Sequence, residues 1–458
     1  MGKQQTKQAF DLIIIGGGSA GIQAALSARQ NGLAVAIFED NTFGGDSLNY
    51  SDLPLSFIRQ AAKNYYQIQH QSDFYGLHNR FASFNYPKIN STAKYIVRNA
   101  YINNKEFCQS QGIQIINQRA YFLSPNQISA GGQRYTAKHF LITTGASWQP
   151  PKFSGLSEIN YYTPRDFLEI DNLPKSIFIV GGHQIALVLA QLLAIFGVKV
   201  YFCSKNSDLL PNFDNEISQF IEKTLANDFD INISTSSRLA EISQSRLTKN
   251  LTFIHAGIER QLQTDELLIA ESLSPNLDLG LSNAVVNYTD VGISVNQYLQ
   301  TTNQRIFAAG DILSTSKLDH SATIEAETAI RNLTKHRMRS VNYNGLMETI
   351  PLIYPAIKIG QSEADCHQNN IKFQSTTALF SELPRQIIAP PVKGILKLII
   401  NSQQQLIGAQ VFGPESEAIA QQLALAIRNH FTVNQLLELP QTYLSWQEII
   451  NTAVNKFN

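Results

Sequence analysis

The sequence predicts an α/β protein made of two Rossmann-like units and a C-terminal α+β segment. Three observations predict it. A βαβ pattern spans Phe10–Glu39 around the loop Gly16-Gly17-Gly18-Ser19-Ala20-Gly21. A second begins at Ser176–Val180 and continues through Gly181-Gly182-His183-Gln184-Ile185-Ala186 to Lys205. Near the C-terminus, the apolar strands Ile395–Asn401 and Leu406–Phe412 flank the polar turn Ser402–Gln405, and an amphipathic helix follows over about Ser416–Asn429.

In the first unit, Asp11–Ile15 reads as a strand. A helix runs from about Gly21 to Gln30, stops at Asn31-Gly32, and gives way to the strand Ala34–Phe38. The loop fits G-x-G-x-x-G. Gly16 makes the tight turn, Gly18 admits a pyrophosphate to the backbone, and Gly21 lets helix and strand pack closely. The helix start offers free N–H groups and a positive dipole end. Glu39, closing the second strand, can accept hydrogen bonds from a ribose. Strand, helix and acid in this order predict dinucleotide binding.

At 458 residues the chain exceeds one hydrophobic core and calls for two to four domains. It carries 36 basic and 36 acidic side chains, which gives no electrostatic reason to expect nucleic acid or an anionic membrane as partner. No apolar run approaches the roughly 20 residues of a membrane span, and the start MGKQQTKQAF has no apolar signal core. A cytoplasmic location is expected. Cys108, Cys203 and Cys366 show neither metal nor CxxC spacing and read as apolar fillers in a reducing compartment.

Further motifs carry a resemblance. Gly44–Ser56, GGDSLNYSDLPLS, is similar to GGTCxNxGCxPSK of the flavoprotein (pyridine nucleotide) disulfide reductases, which include mercuric reductase and lipoamide dehydrogenase. Thr144-Gly145 after the strand Phe140–Thr143 resembles that family's ATG turn, Ile306–Asp311 its IYAxGD motif, and LIGAQVFGP its ILGAHIVGP. The resemblance implies a glutathione reductase-like fold: an FAD-binding domain over 1–150 completed by 276–340, an NAD(P)-binding-like domain over 151–275, and a dimerisation domain over 341–458 that makes a homodimer. It implies FAD as cofactor, bound by Gly16, Gly18, Ser19, Ala20, Gly21, Glu39, Gly45, Thr144 and Gly145, with Asp311 on the ribitol. Leu318–Ala322, which includes His320, would lead into a helix under the flavin. A buried Asp311 needs a hydrogen-bonding partner, and a ribitol hydroxyl is one.

The departures from the family decide the function. Ser47 and Asp52 stand at the two redox-cysteine positions, and neither can form a disulfide, so dithiol chemistry is not expected. Asp52, expected in an apolar pocket, reads either as a proton donor or acceptor or as a hydrogen-bonded substitute for the lost cysteine; the second is favoured. Ser56 and Val188 replace the lysine and glutamate that pair beside the family's flavin, so both charges are gone together. In the second loop, His183 and Ala186 stand at the second and third glycine positions and Gln184 at the gating tyrosine. Ser272-Leu273-Ser274-Pro275-Asn276 has lost the glycine and arginine of GRxPN. NAD(P)H binding is therefore doubtful. Ser204-Lys205 resembles NADPH-preferring relatives, though an exposed turn lysine is the favoured reading. Tyr443 occupies the position of the family's acid/base histidine, as in mercuric reductases, with Glu448 retained and without their terminal cysteine pair; it reads as a hydrogen-bond donor to the flavin cavity or, preferentially, as a packed aromatic. These features point to an FAD-binding, redox-divergent homologue. Two alternatives are an FAD-dependent NAD(P)H oxidoreductase with a quinone, dye or oxygen acceptor, and a non-catalytic flavoprotein scaffold or electron-transfer partner.

Overall fold

A computed structural model describes residues 6–78, 82–149, 153–246, 248–314, 321–335 and 337–457. In chain order, the elements that position the sites begin with β1 (Thr6–Ile15), α1 (Ser19–Gln30), β2 (Val35–Phe38), α2 (Asp52–His70) and β3 (Gln133–Ile142). Then come β4 (Ser176–Gly181), α3 (Ile185–Ile195), β5 (Lys199–Ser204), β6 (Glu266–Ala270), β7 (Ile306–Ala308) and α4 (Ser321–Thr334). The last are β8 (Ile395–Asn401), β9 (Leu406–Phe412) and α5 (Ser416–Arg428). The chain folds as two compact units. One is Met1–Leu55, Ser91–Gln149 and Ser272–Tyr343; the other is Ser56–Asn90, Pro150–Glu271 and Asn344–Asn458.

The first unit is organised by a seven-stranded sheet. β1 lies parallel between β2 and β3, with Ile13 opposite Ala36 on one side and Phe140 on the other. β7 pairs in parallel with the end of β3. Leu12, Ile13 and Ile14 are fully buried, as a strand covered on both faces requires. α1 presents Ala20, Ala24, Ala25 and Ala28 to the core, and these small side chains let it pack against α4. β1 starts at Thr6, ahead of the Asp11 read from the apolar pattern, because pairing with β3 continues backward through a bulge.

The second unit holds three sheets. β5, β4 and β6 lie in parallel, with Asn232–Ser234 at the β5 edge. A three-stranded antiparallel sheet spans Ser237–Thr264. A five-stranded antiparallel sheet has β8 and β9 paired within it, and α5 packs upon it. The predicted hairpin is found with the bounds read from the sequence. β8 also carries a buried cation that the sequence pattern did not reveal. Lys397 Nζ lies 3.2 Å from Asp214, 2.7 Å from Glu216 and 2.9 Å from Glu363. Gln410 completes this network by donating to Asp214 at 2.8 Å. Burial lowers the Lys397 pKa, but the bonds to Glu216 and Glu363 and the charge of Asp214 outweigh it, so the group is held above its ordinary value. Among the described residues, no helix is long and apolar enough to cross a membrane.

Candidate functional site

The first glycine loop lies where β1 ends and α1 begins, at the carboxyl end of the parallel strands, where open α/β sheets bind ligands. Each glycine has a steric reason. Gly16 sits at φ +105°, and a Cβ there would lie 2.3 Å from the Thr143 carbonyl oxygen. At Gly21 it would lie 2.0 Å from the Gly16 oxygen. Gly18 instead faces open space, with only the Gly45 Cα in reach at 3.9 Å. The Glu39 carboxylate accepts the Gly17 N–H at 2.6 Å and the Asn41 N–H at 2.9 Å, which fixes it beside the loop. Among the described residues, the N–H groups of Gly18, Ser19, Ala20 and Gly21 have no hydrogen-bond partner. This is a ready anion cradle at a helix N-terminus.

Two further turns complete the cradle. Thr143 donates its hydroxyl to the Gly16 carbonyl at 2.8 Å. The Thr144-Gly145 turn is clamped by Asn276, whose amide donates to the Thr144 carbonyl at 2.8 Å while the Thr144 hydroxyl donates to the Asn276 carbonyl at 3.0 Å. Asp311 follows β7. It stands at the strand ends, where the sheet crevice opens and solvent reaches the residue, while the protein packed around the carboxyl still desolvates it. Surrounding protein, then Glu325, Asp46 and Asp52, hold its carboxyl above the ordinary range. Glu325 was missed in the sequence. It is fully buried on α4, accepting the Gly310 N–H at 2.7 Å and the Tyr343 hydroxyl at 3.0 Å, and so sets the backbone from which Asp311 projects. An acid inside the apolar stripe Ala326, Ala329 and Ile330 was the available signal. His320 lies outside the described residues.

The second loop has the same place in its own sheet and a different interior. The N–H groups of Gly182 and His183 both donate to the Ala270 carbonyl at 3.1 Å. The Ile185 N–H, at the start of α3, donates to Nδ1 of His183 at 3.3 Å. Burial pushes the His183 imidazole down to about 4, so the ring is a neutral acceptor. Lys205 is exposed but not solitary: its ammonium lies 2.9 Å from the Glu271 carboxylate. The expected exposed turn lysine is thus found, with Glu271 as its partner. Leu273–Pro275, within Ser272–Asn276, pairs with Ala146–Trp148.

Residues 10–334 match the model of the pyridine nucleotide-disulphide oxidoreductase family, and residues 353–454 match that family's dimerisation domain. The chain belongs to the pyridine nucleotide-disulphide oxidoreductase family. Its relatives include mercuric reductase of Staphylococcus aureus, 26% identical over 98% of this chain and 82% of that protein. Dihydrolipoyl dehydrogenase of Acholeplasma laidlawii is 29% identical over 73% of this chain and 99% of that protein. Among solved structures, the copper(II) complex of the HOCl-induced flavoprotein disulfide reductase RclA from Escherichia coli superposes with a TM-score of 0.87 at 21% identity, covering 99% of this chain and 100% of that one. The fold is thus glutathione reductase-like, and the dimerisation domain implies a homodimer.

Within this family's framework the remaining predicted residues can be placed. Ser47 is half-buried on the short helix Gly45–Asn49. Asp52 is not in an apolar pocket: it is exposed in the first turn of α2, where a helix N-terminus favours a carboxylate. Val188 is buried on α3, whereas Ser56 is exposed on α2. Cys108, Cys203 and Cys366 are free and buried. Burial raises all three thiols, Cys203 to about 12 with help from Glu271. None is poised as a thiolate. Tyr443 is 79% exposed in its own chain, so the packed-aromatic expectation is not met there. Its loop is nevertheless fixed. Glu448 accepts the Leu444 N–H at 3.0 Å, Arg385 donates to the Leu444 carbonyl at 2.5 Å, and the Arg385 guanidinium lies 5.2 Å from the Trp446 ring centroid. Glu448, deprived of a histidine, holds the turn that presents Tyr443.

Proposed function

We propose that the protein is an FAD-binding, redox-divergent member of the pyridine nucleotide-disulphide oxidoreductase family that works without dithiol chemistry and takes up NAD(P)H poorly. The observation that carries this reading is the contrast between an open first cradle and the loss of both redox cysteines. The four free N–H groups of Gly18–Gly21 suit a pyrophosphate, Glu39 suits a ribose, and Asp311 suits the ribitol hydroxyls. Gly18 and Gly45 keep the approach clear: a Cβ on Gly45 would lie 2.9 Å from the Gly18 Cα. When bound, FAD supplies two-electron redox chemistry. The chain's own contribution is to hold the cofactor and to place Ser47 and Asp52 where the relatives carry thiols.

A hydroxyl and a carboxylate take part in hydrogen bonding and proton transfer, not in disulfide exchange. The buried, high-pKa cysteines offer no replacement pair. Recombinant protein is expected to carry FAD and to turn over lipoamide, glutathione disulfide and Hg(II) no faster than free flavin. Colourless protein that takes up no FAD in titration would refute the cofactor assignment. Turnover of any of the three substrates would show that a buried cysteine had been recruited.

A further inference from the structure

The dinucleotide phosphates that a glycine loop of this fold accepts do not fit the second loop. The N–H groups of Gly182, His183 and Ile185 are already engaged, and the groups engaging them are specific. We propose that this loop is liganded from within: the His183 imidazole stands in for the pyrophosphate at the start of α3, and the Glu271 carboxylate stands in for a nucleotide 2′-phosphate at Lys205.

The argument begins with the amide inventory. A helix start leaves N–H groups that need acceptors, and in a phosphate-binding loop the ligand provides them. Here Ala270 accepts from Gly182 and His183, and the His183 ring accepts from Ile185. The His183 carbonyl accepts from Ala186 at 3.0 Å, which turns the chain into α3. An incoming pyrophosphate would have to displace the imidazole from the Ile185 N–H. At the matching position in the first loop, Gly18 has no side chain, and its neighbouring N–H groups remain free.

Charge then decides between nucleotides. Lys205 is the cation that would meet a 2′-phosphate at the end of β5. Glu271 pairs with it at 2.9 Å and is itself largely shielded, with its side chain 15% exposed. The same residue crowds the loop, since a Cβ on Gly182 would lie 3.2 Å from the Glu271 Cγ. One carboxylate therefore neutralises the gain that Lys205 would give NADPH over NADH and places negative charge beside the phosphate path.

This proposal rests on the family reading of the second unit, but its test is independent of flavin retention and dithiol turnover. Equilibrium binding of NADH and NADPH to the FAD-loaded protein is measured for the natural chain, His183→Gly, Glu271→Gln and the double variant. Unchanged FAD content and melting temperature establish that each variant is folded. The natural chain and Glu271→Gln are expected to bind neither nucleotide appreciably. His183→Gly is expected to gain about tenfold for both, the scale of one recovered charge-assisted hydrogen bond. The double variant is expected to gain about tenfold more for NADPH alone. Natural protein that binds NADPH as tightly as the double variant would overturn the proposal. So would equal NADH and NADPH affinities in the double variant, or no gain in any folded variant.

Discussion

The two glycine loops of this chain are close in architecture and opposite in readiness. Each follows a buried parallel strand and opens a helix. In the first, Glu39 holds the Gly17 N–H and leaves those of Gly18 to Gly21 for a ligand. In the second, Ala270 and His183 take the N–H groups of Gly182, His183 and Ile185, and Glu271 takes Lys205. The fold alone therefore does not specify a nucleotide site. A parallel strand and a helix start supply the donors, and side chains decide whether those donors face inward or outward.

The largest expected effect comes from closing the first loop. Gly21→Val puts a branched side chain where even a Cβ meets the Gly16 oxygen at 2.0 Å. Overpacking of this kind costs about 3 kcal/mol, and the purified protein should lose its flavin. The reciprocal change, Ala186→Gly in the second loop, should leave flavin content unaltered, because Ala186 is already buried there. Flavin absorbance per protein chain reads both. Equal losses from the two variants would mean that the loops are not functionally distinct.

A smaller effect is expected at Asp311, and its sign depends on the ligand. The folded chain holds this proton to higher pH than the unfolded chain does. In the ligand-free protein, the contribution of Asp311 to stability is thus fully present at low pH and is lost as pH rises through its raised pKa. Asp311→Asn should therefore raise the melting temperature of flavin-free protein at neutral pH and flatten its dependence on pH. The same substitution should weaken FAD binding about tenfold, since a charged acceptor becomes neutral. Thermal melts across pH, with and without FAD, separate the two contributions. A parallel loss of stability in both forms would contradict the assignment of Asp311 to the ligand.

Much of this was legible in the sequence. The βαβ units, the hairpin and its turn, and the glycine logic at Gly16 and Gly21 all follow from short-range steric rules that the chain displays openly. Partnerships across long sequence separations were not legible. Nothing in the string ties Asn276 to Thr144, Glu325 to Gly310, or Lys397 to Asp214. The expected burial of Asp52 came from the redox-cysteine position it occupies in the resemblance, whereas a place in the first turn of α2 leaves it exposed. The pairing of Lys205 with Glu271 is of the same kind: 66 positions separate them, and they meet because β5 and β6 both pair with β4. His183 was legible as an obstacle. Its role as an acceptor for the Ile185 N–H needed the backbone.

The most direct test of the contrast between the loops is anaerobic mixing of the FAD-loaded protein with NADPH while flavin absorbance is followed. The account predicts yellow protein whose flavin bleaches more slowly than about 1 s⁻¹, the lower end of ordinary enzyme turnover. Bleaching within the mixing time would show that the second loop admits the nucleotide as it stands, and would contradict the claim that its donors are closed.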